Sequence, residues 1–251
     1  MDDTDFAVAL ADSAGTLLLE LQRSATAEQL GSSELKDRGD RESQEHLAAA
    51  LARSYPRDSV LSEEATDDAR RLVADRVWII DPLDGTREFA EGREDWAVHV
   101  ALWAHGELTA GAVALPALGT TLSSAAPARS WAAPERVRLA VSRSRPTPLV
   151  LRLAEDLNAE LVPMGSAGYK VSAVVRGEVD AYVHSGGQYE WDSAAPIAVA
   201  RAAGLFTSRV DGTPLVYNRE NPYLPDLLVC NPLLADDLLR RLSALLEGEI
   251  R

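Results

Sequence analysis

The 251-residue chain is poor in the residues that mark several protein classes. It has one cysteine, Cys230, so no intrachain disulfide can form. That cysteine follows the apolar run Leu227-Leu228-Val229, where a buried structural thiol is expected. Positive charge is scarce: 25 Lys and Arg face 39 Asp and Glu, for a formal charge of −14 with no dense basic tract. That balance argues against a nucleic-acid polymer or an anionic membrane as partner. No apolar run approaches the roughly 18 residues of a membrane span. The opening Met1-Asp2-Asp3-Thr4-Asp5 is the reverse of a basic signal-peptide start, so a cytoplasmic location is expected. There is no Gly-x-Ser-x-Gly elbow and no Gly-x-x-x-x-Gly-Lys loop, which removes the serine hydrolase and P-loop ATPase readings. His46, His99, His105 and His184 are scattered with no metal-pair spacing, and they read as structural, as do Trp96 and Trp103.

What is present is a globular composition, 46% hydrophobic, enough for a substantial core. Phe6, Leu10, Leu17, Leu18 and Leu21 fall near helical spacing, and Asp40 to Arg53 is Ala/Leu-rich, so two helices are expected to open the fold. The polar stretch Gly31 to Gly39 between them reads as a connecting loop that contributes little core. Short β-prone runs follow at Val77 to Ile80, Ala97 to Trp103, Leu108 to Leu115 and Thr120 to Ser124, and a mostly antiparallel sheet is their natural assembly. An Ala/Pro-rich stretch, Ala125 to Glu135, divides residues 1–135 from residues 136–251, where strand-like and helix-like segments alternate. The first subdomain carries most of the candidate metal ligands, the second the expected substrate-recognition elements and Asp192.

Asp81 and Asp84 follow the apolar strand Val77-Trp78-Ile79-Ile80, and Pro82 and Gly85 turn the chain there. Two carboxylates this close repel unless a cation lies between them, and magnesium takes such hard oxygen ligands. The carbonyl of Leu83 is a further donor. The spacing alone fits an ordinary Asx-type turn with two solvated aspartates equally well. Ser62-Glu63-Glu64 reads by itself as a solvated acidic face, and Asp192 in Trp191-Asp192-Ser193-Ala194-Ala195 as a helix cap.

The ordered set Glu63-Glu64, Trp78-Ile79-Ile80-Asp81-Pro82-Leu83-Asp84-Gly85-Thr86 and Trp191-Asp192-Ser193-Ala194-Ala195, with Ala202-Ala203-Gly204 after it, resembles the inositol monophosphatase superfamily of Mg²⁺-dependent, lithium-sensitive phosphatases. The resemblance implies an α/β (α+β) fold, a layered α-β-α-β-α sandwich, with two or three Mg²⁺ ions, and a homodimer. It implies a metal shell of Glu63, Asp81, Leu83, Asp84 and Asp192, with Thr86 and Glu63 orienting the attacking water and Asp40 holding the Thr86 hydroxyl. Gly85 and Thr86 amides, with Asp192, would face the substrate.

The second half looks most like the CysQ-type branch, the 3′(2′),5′-bisphosphate nucleotidases. It does so through Gly165-Ser166-Ala167-Gly168-Tyr169-Lys170, Gly177 to Tyr182 and Pro214-Leu215-Val216-Tyr217-Asn218. The resemblance implies hydrolysis of 3′-phosphoadenosine 5′-phosphate, a phosphorylated nucleotide of sulfate assimilation. A Gly-rich turn entering a helix with Lys170 suits a second phosphate, and equally suits a connector with a solvated lysine. Tyr189 is available to stack on a base or to pack on the core. Where inositol phosphatases carry an acid for the polyol, seven positions before Asp192, this chain has Ser185. Inositol 1-phosphate and fructose 1,6-bisphosphate are the rival substrates, and a non-catalytic phosphate-ligand sensor is the rival of another class.

Overall fold

The computed structural model describes residues 1–249. Helix α1 (Asp3–Glu28) starts under a cap in which Asp2 accepts the amide of Asp5 at 2.7 Å, and it ends at Gln29, whose φ of 57° is left-handed. Helix α2 spans Ser32–Ser54. It begins eight residues before the helix expected at Asp40, so the stretch read as a loop is helical and carries core. Leu35 and Gly39 are buried, and Gly39 lies against Leu83 and Phe89. The segment lacks apolar periodicity because it faces the β2 turn with small residues and holds its outer face by ion pairs of Arg38 with Glu28 and Glu42.

The first sheet runs in the order β1 (Ser59–Ser62), β2 (Arg76–Asp84), β3 (Ala97–Ala104), β4 (Glu107–Leu115) and β5 (Thr120–Ser123), with the short helix α3 (Thr86–Ala90) after β2. Only the β1–β2 pair is parallel, as the expectation of a mostly antiparallel sheet requires. Both faces are covered. Trp78, Ile80, Val98, Val100 and Ala112 pack under α1 and α2, whereas Val77, Ile79, Ala101 and Val113 pack toward the interior helices. Burial on both sides explains why β2 reads as an unbroken apolar run instead of an alternation.

The second sheet has the order β10 (Phe206–Ser208), β12 (Leu227–Cys230), β8 (Ala181–His184), β6 (Arg138–Ser142) and β7 (Glu160–Met164). Between the sheets lie α5 (Ala167–Arg176) and α6 (Glu190–Ala202); outside the second sheet α4 (Pro148–Leu157) packs with α7 (Ala235–Glu249) over Leu139, Val141, Leu228 and Cys230. The layers are therefore α-β-α-β-α. A small hairpin, β9 (Gln188–Tyr189) with β11 (Tyr223–Leu224), stands at the start of α6. Cys230 is fully buried, and burial pushes its thiol up to about 12.

Candidate active site

Pairing, not sequence proximity, gathers the carboxylates. Parallel register sets Ser62 opposite Ile80, so Glu63 leaves β1 beside the point where Asp81 leaves the regular part of β2. Antiparallel register sets Asp81 opposite His99, and a register break between Asp81 and Asp84 turns the chain at Pro82. The Pro82 carbonyl accepts from Ser43 Oγ of α2 at 2.7 Å. Gly85 closes the turn with a φ of 91°, a conformation that favours glycine. Asp192 stands in the first turn of α6, where its Oδ2 accepts the Tyr189 amide at 2.6 Å in a reciprocal cap.

Both readings of the Asp81 turn are present in part. Leu83 N donates to Asp81 Oδ1 at 3.0 Å, an Asx-type contact, yet the residue is fully buried and Oδ2 has no hydrogen-bond partner among the described residues, with His99 Nδ1 3.9 Å away. Burial first, then the charges of Glu63, Asp84 and Asp192, raises the Asp81 carboxyl well above the usual range. Glu63, open to solvent on one side but crowded by protein on the others, is raised to about 8 by desolvation and then by Asp192 and Asp84. Asp192 is raised to about 6 by burial and by Asp84.

Asp84 has the opposite environment. Its Oδ2 accepts from Ser166 Oγ at 2.5 Å and Gly168 N at 2.6 Å, and Oδ1 from Ala167 N at 3.2 Å. Burial raises its carboxyl, but the His99 imidazole and these donors outweigh that and hold it at about 2. His99 Nε2 stands 3.2 Å from Asp84 Oδ2, an ion-pair contact outside good hydrogen-bond alignment, while Nδ1 lies 3.0 Å from the Trp191 carbonyl. Burial lowers the imidazole and Asp84 raises it, with a net upward shift. A Cβ on Gly168 would fall 1.9 Å from His99 Nε2, so this close approach admits only glycine.

Thr86 Oγ1 lies 3.3 Å from Asp40 Oδ1 and 3.2 Å from the Leu83 carbonyl, and its single proton can serve one of them at a time. Desolvation and Glu64 raise Asp40 to about 6. The N-terminus of α5, read as a seat for a second phosphate, already holds an anion in this structure, the Asp84 carboxylate. Lys170 is not solvated either: it is 5% exposed, with Nζ donating to the Gly165 and Ser166 carbonyls at 2.8 and 2.5 Å. Pro214 to Asn218 anchors α6, since Tyr217 Oη pairs with Ser193 Oγ at 3.1 Å and Glu190 accepts the Asn218 and Arg219 amides.

Glu63, Asp84, Gly85, Ser166, Tyr189 and Asp192 line one cleft of about 390 Å³. Tyr189, 45% exposed, stacks on Trp191 with ring centroids 4.7 Å apart. The cleft also takes in Arg143, Arg145 and Gln188, and the ligand-capable atoms of Asp81, Asp84 and His99 lie within 4.8 Å of one another. His99 was the residue missed. Its phase on β3 puts it on the same face as Asp81, but only the strand register shows that.

A buried acid with one oxygen lacking a hydrogen-bond partner, beside Glu63 and Asp192 raised by burial and then by neighbouring negative charge, is the electrostatic form of a divalent-cation site, and the donor set suits a hard ion. This centre sits on a five-layered fold, and the two together define a phosphatase of one family. Residues 2–243 match the inositol monophosphatase family, and the chain belongs to it. Among its relatives, a Mycobacterium bovis protein named 3′-phosphoadenosine 5′-phosphate phosphatase is 50% identical over 239 residues, covering 90% of this chain and 88% of the relative. The fold is similar to the staphylococcal IMPase-II crystal structure, with a TM-score of 0.81 at 20% identity, covering 98% of this chain and 97% of that one. It is similar also to CysQ from Bacteroides thetaiotaomicron, with a TM-score of 0.77 at 27% identity, covering 90% and 96%.

Proposed function

We propose that this chain is a Mg²⁺-dependent phosphomonoesterase that removes the 3′-phosphate of 3′-phosphoadenosine 5′-phosphate, and of its 5′-phosphosulfate analogue, in sulfate assimilation. The reaction class rests on one observation, the buried Asp81 carboxyl whose Oδ2 has no hydrogen-bond partner among the described residues, beside the raised Glu63 and Asp192. The substrate rests on likeness to relatives bearing that name over nine-tenths of the chain.

Glu63, Asp81, Asp84, Asp192 and the Leu83 carbonyl are the residues that would hold two or three ions. Magnesium bound there supplies positive charge to the phosphoryl oxygens and lowers the pKa of water. Glu63, on the cleft wall with Asp84 and Asp192, would share with Thr86 the orienting of the attacking water. Thr86, held between Asp40 and the Leu83 carbonyl, fixes the direction from which that water is oriented. Gly85 and Arg87, at the start of α3, line the cleft, and the first-turn amides there would favour a phosphate. Tyr189 offers its ring to the adenine.

The test is phosphate release measured side by side from 3′-phosphoadenosine 5′-phosphate, inositol 1-phosphate and fructose 1,6-bisphosphate, with Mg²⁺, EDTA and Li⁺. The nucleotide should be cleaved fastest, with EDTA abolishing release and Li⁺ inhibiting it. Release that survives EDTA sinks the metal reading, and preference for inositol 1-phosphate sinks the substrate.

A further inference from the structure

A bisphosphorylated nucleotide brings two anionic groups, and the carboxylate cluster accounts for one of them. The other carries nearly two negative charges and must be met by cations in a protein whose net charge is −14. Four basic side chains line the cleft: Arg87, Arg143, Arg145 and Lys170. Three are committed. Arg87 Nε donates to Glu91 at 2.9 Å. Arg143 Nη2 donates to Glu88 at 2.9 Å and to Glu91 at 2.7 Å. Lys170 is sealed against the Gly165 and Ser166 carbonyls and lies 5.2 Å from the Tyr182 ring centroid.

Arg145 is different. Its backbone amide is tied to Ser142 Oγ at 3.2 Å, but its guanidinium has no carboxylate or carbonyl partner among the described residues, and it is exposed. Its loop is held in place on the far side, where Thr147 Oγ1 meets Ser185 Oγ at 2.6 Å. Gln188 gives a second, independent sign of a ligand. It is 7% exposed and lines the same cleft, yet neither its carboxamide oxygen nor its nitrogen has a hydrogen-bond partner among the described residues. A buried amide left open at both ends is costly unless something in the cleft completes it.

We propose that Arg145, with the open carboxamide of Gln188, forms the subsite for the second, non-scissile phosphate of the nucleotide. The guanidinium meets the phosphate oxygens, and the carboxamide can donate to the same group while accepting from a sugar hydroxyl. This rests on the bisphosphate nucleotidase reading above and moves second-phosphate recognition from Lys170 to Arg145.

The experiment compares kcat and KM for 3′-phosphoadenosine 5′-phosphate with those for adenosine 3′-phosphate, which lacks the second phosphate, in wild type, Arg145→Ala, Arg145→Lys and Gln188→Leu. Loss of one charge-assisted contact should lower the bisphosphate-to-monophosphate ratio of kcat/KM about tenfold or more in Arg145→Ala, through KM. Arg145→Lys should recover part of it, and Gln188→Leu should lower it by a smaller factor. A wild-type ratio in Arg145→Ala, or an equal loss with both substrates, overturns the subsite. If wild-type protein releases no phosphate from the bisphosphate, the function itself fails, a different result from an unchanged ratio.

Discussion

The two ends of the cleft are built in opposite ways. At the carboxylate end, β1, β2 and α6 hold Asp81, Glu63 and Asp192 so close that their repulsion is unrelieved, on a scaffold buried on both faces. At the other end, the loop before α4 carries the exposed Arg145, while the two-residue strand β9 and the first turn of α6 carry the buried, unpartnered Gln188 carboxamide and the Tyr189–Trp191 stack. The first end is strained by like charge and waits for cations; the second is open in hydrogen bonds and waits for an anion and a base. The long strands thus hold most of the chemistry, and a loop with a two-residue hairpin strand holds most of the choice of substrate, α6 contributing to both.

Asp81→Asn probes the strained end most strongly. It should lower kcat by on the order of 10³-fold or more. It should also raise the melting temperature in EDTA at alkaline pH, because the amide cannot ionise in a buried site beside Glu63, Asp84 and Asp192. A mutant that loses both activity and EDTA-form stability breaks the claim that this end is electrostatically strained. Asp84→Asn, three residues away, should act in the opposite sense on stability, since Asp84 is the one acid of the cluster already satisfied. Removing its charge beside His99 should cost about 3 kcal/mol in urea denaturation of the metal-free protein. An unchanged midpoint would place His99 outside the ion pair.

A pH series on the metal-free protein sharpens the contrast further. Asp81, Glu63 and Asp192 are raised, so the folded state keeps protons that the unfolded chain has released. Their contribution is present below the ordinary carboxyl range and is lost as pH rises through about 6 to 8. Asp84, held at about 2, contributes fully throughout that window and does not offset the loss. Differential scanning fluorimetry in EDTA should therefore show stability falling from pH 5.5 to 8.5. With Mg²⁺ the fall should shrink or reverse, and a flat EDTA profile would contradict the crowding argument. The smallest effect belongs to the open end: Tyr189→Ala should raise KM for the nucleotide about tenfold, as expected for one stacking contact, with kcat little changed.

Legibility followed the same division. The strand Val77 to Ile80 with Asp81 and Asp84 behind it could be read from local pattern, because a buried strand and its turn leave a contiguous signature. Glu63 and Asp192 gained meaning only from their order along the chain, since parallel pairing with β2 and the entry of α6 are tertiary facts. The start of α2 at Ser32 was hidden because its contacts with Leu83 and Phe89 are made by Gly39, a residue that reads as a helix breaker. His99 was hidden by strand register, and Arg145 and Gln188 by the meeting in one cleft of the loop before α4 and strand β9, which are distant in sequence.

The cap at the start of α6 has a consequence for how the two ends are loaded. Asp192 Oδ2 accepts the backbone amide of Tyr189 at 2.6 Å, so one carboxylate belongs both to the proposed ion site and to the cap of the residue that carries the exposed ring. Filling either site draws on the same side chain, and such coupling is thermodynamically reciprocal. The factor by which Mg²⁺ changes the affinity for a non-hydrolysable nucleotide should equal the factor by which that nucleotide changes the affinity for Mg²⁺. Calorimetric titrations run in the two orders would measure both.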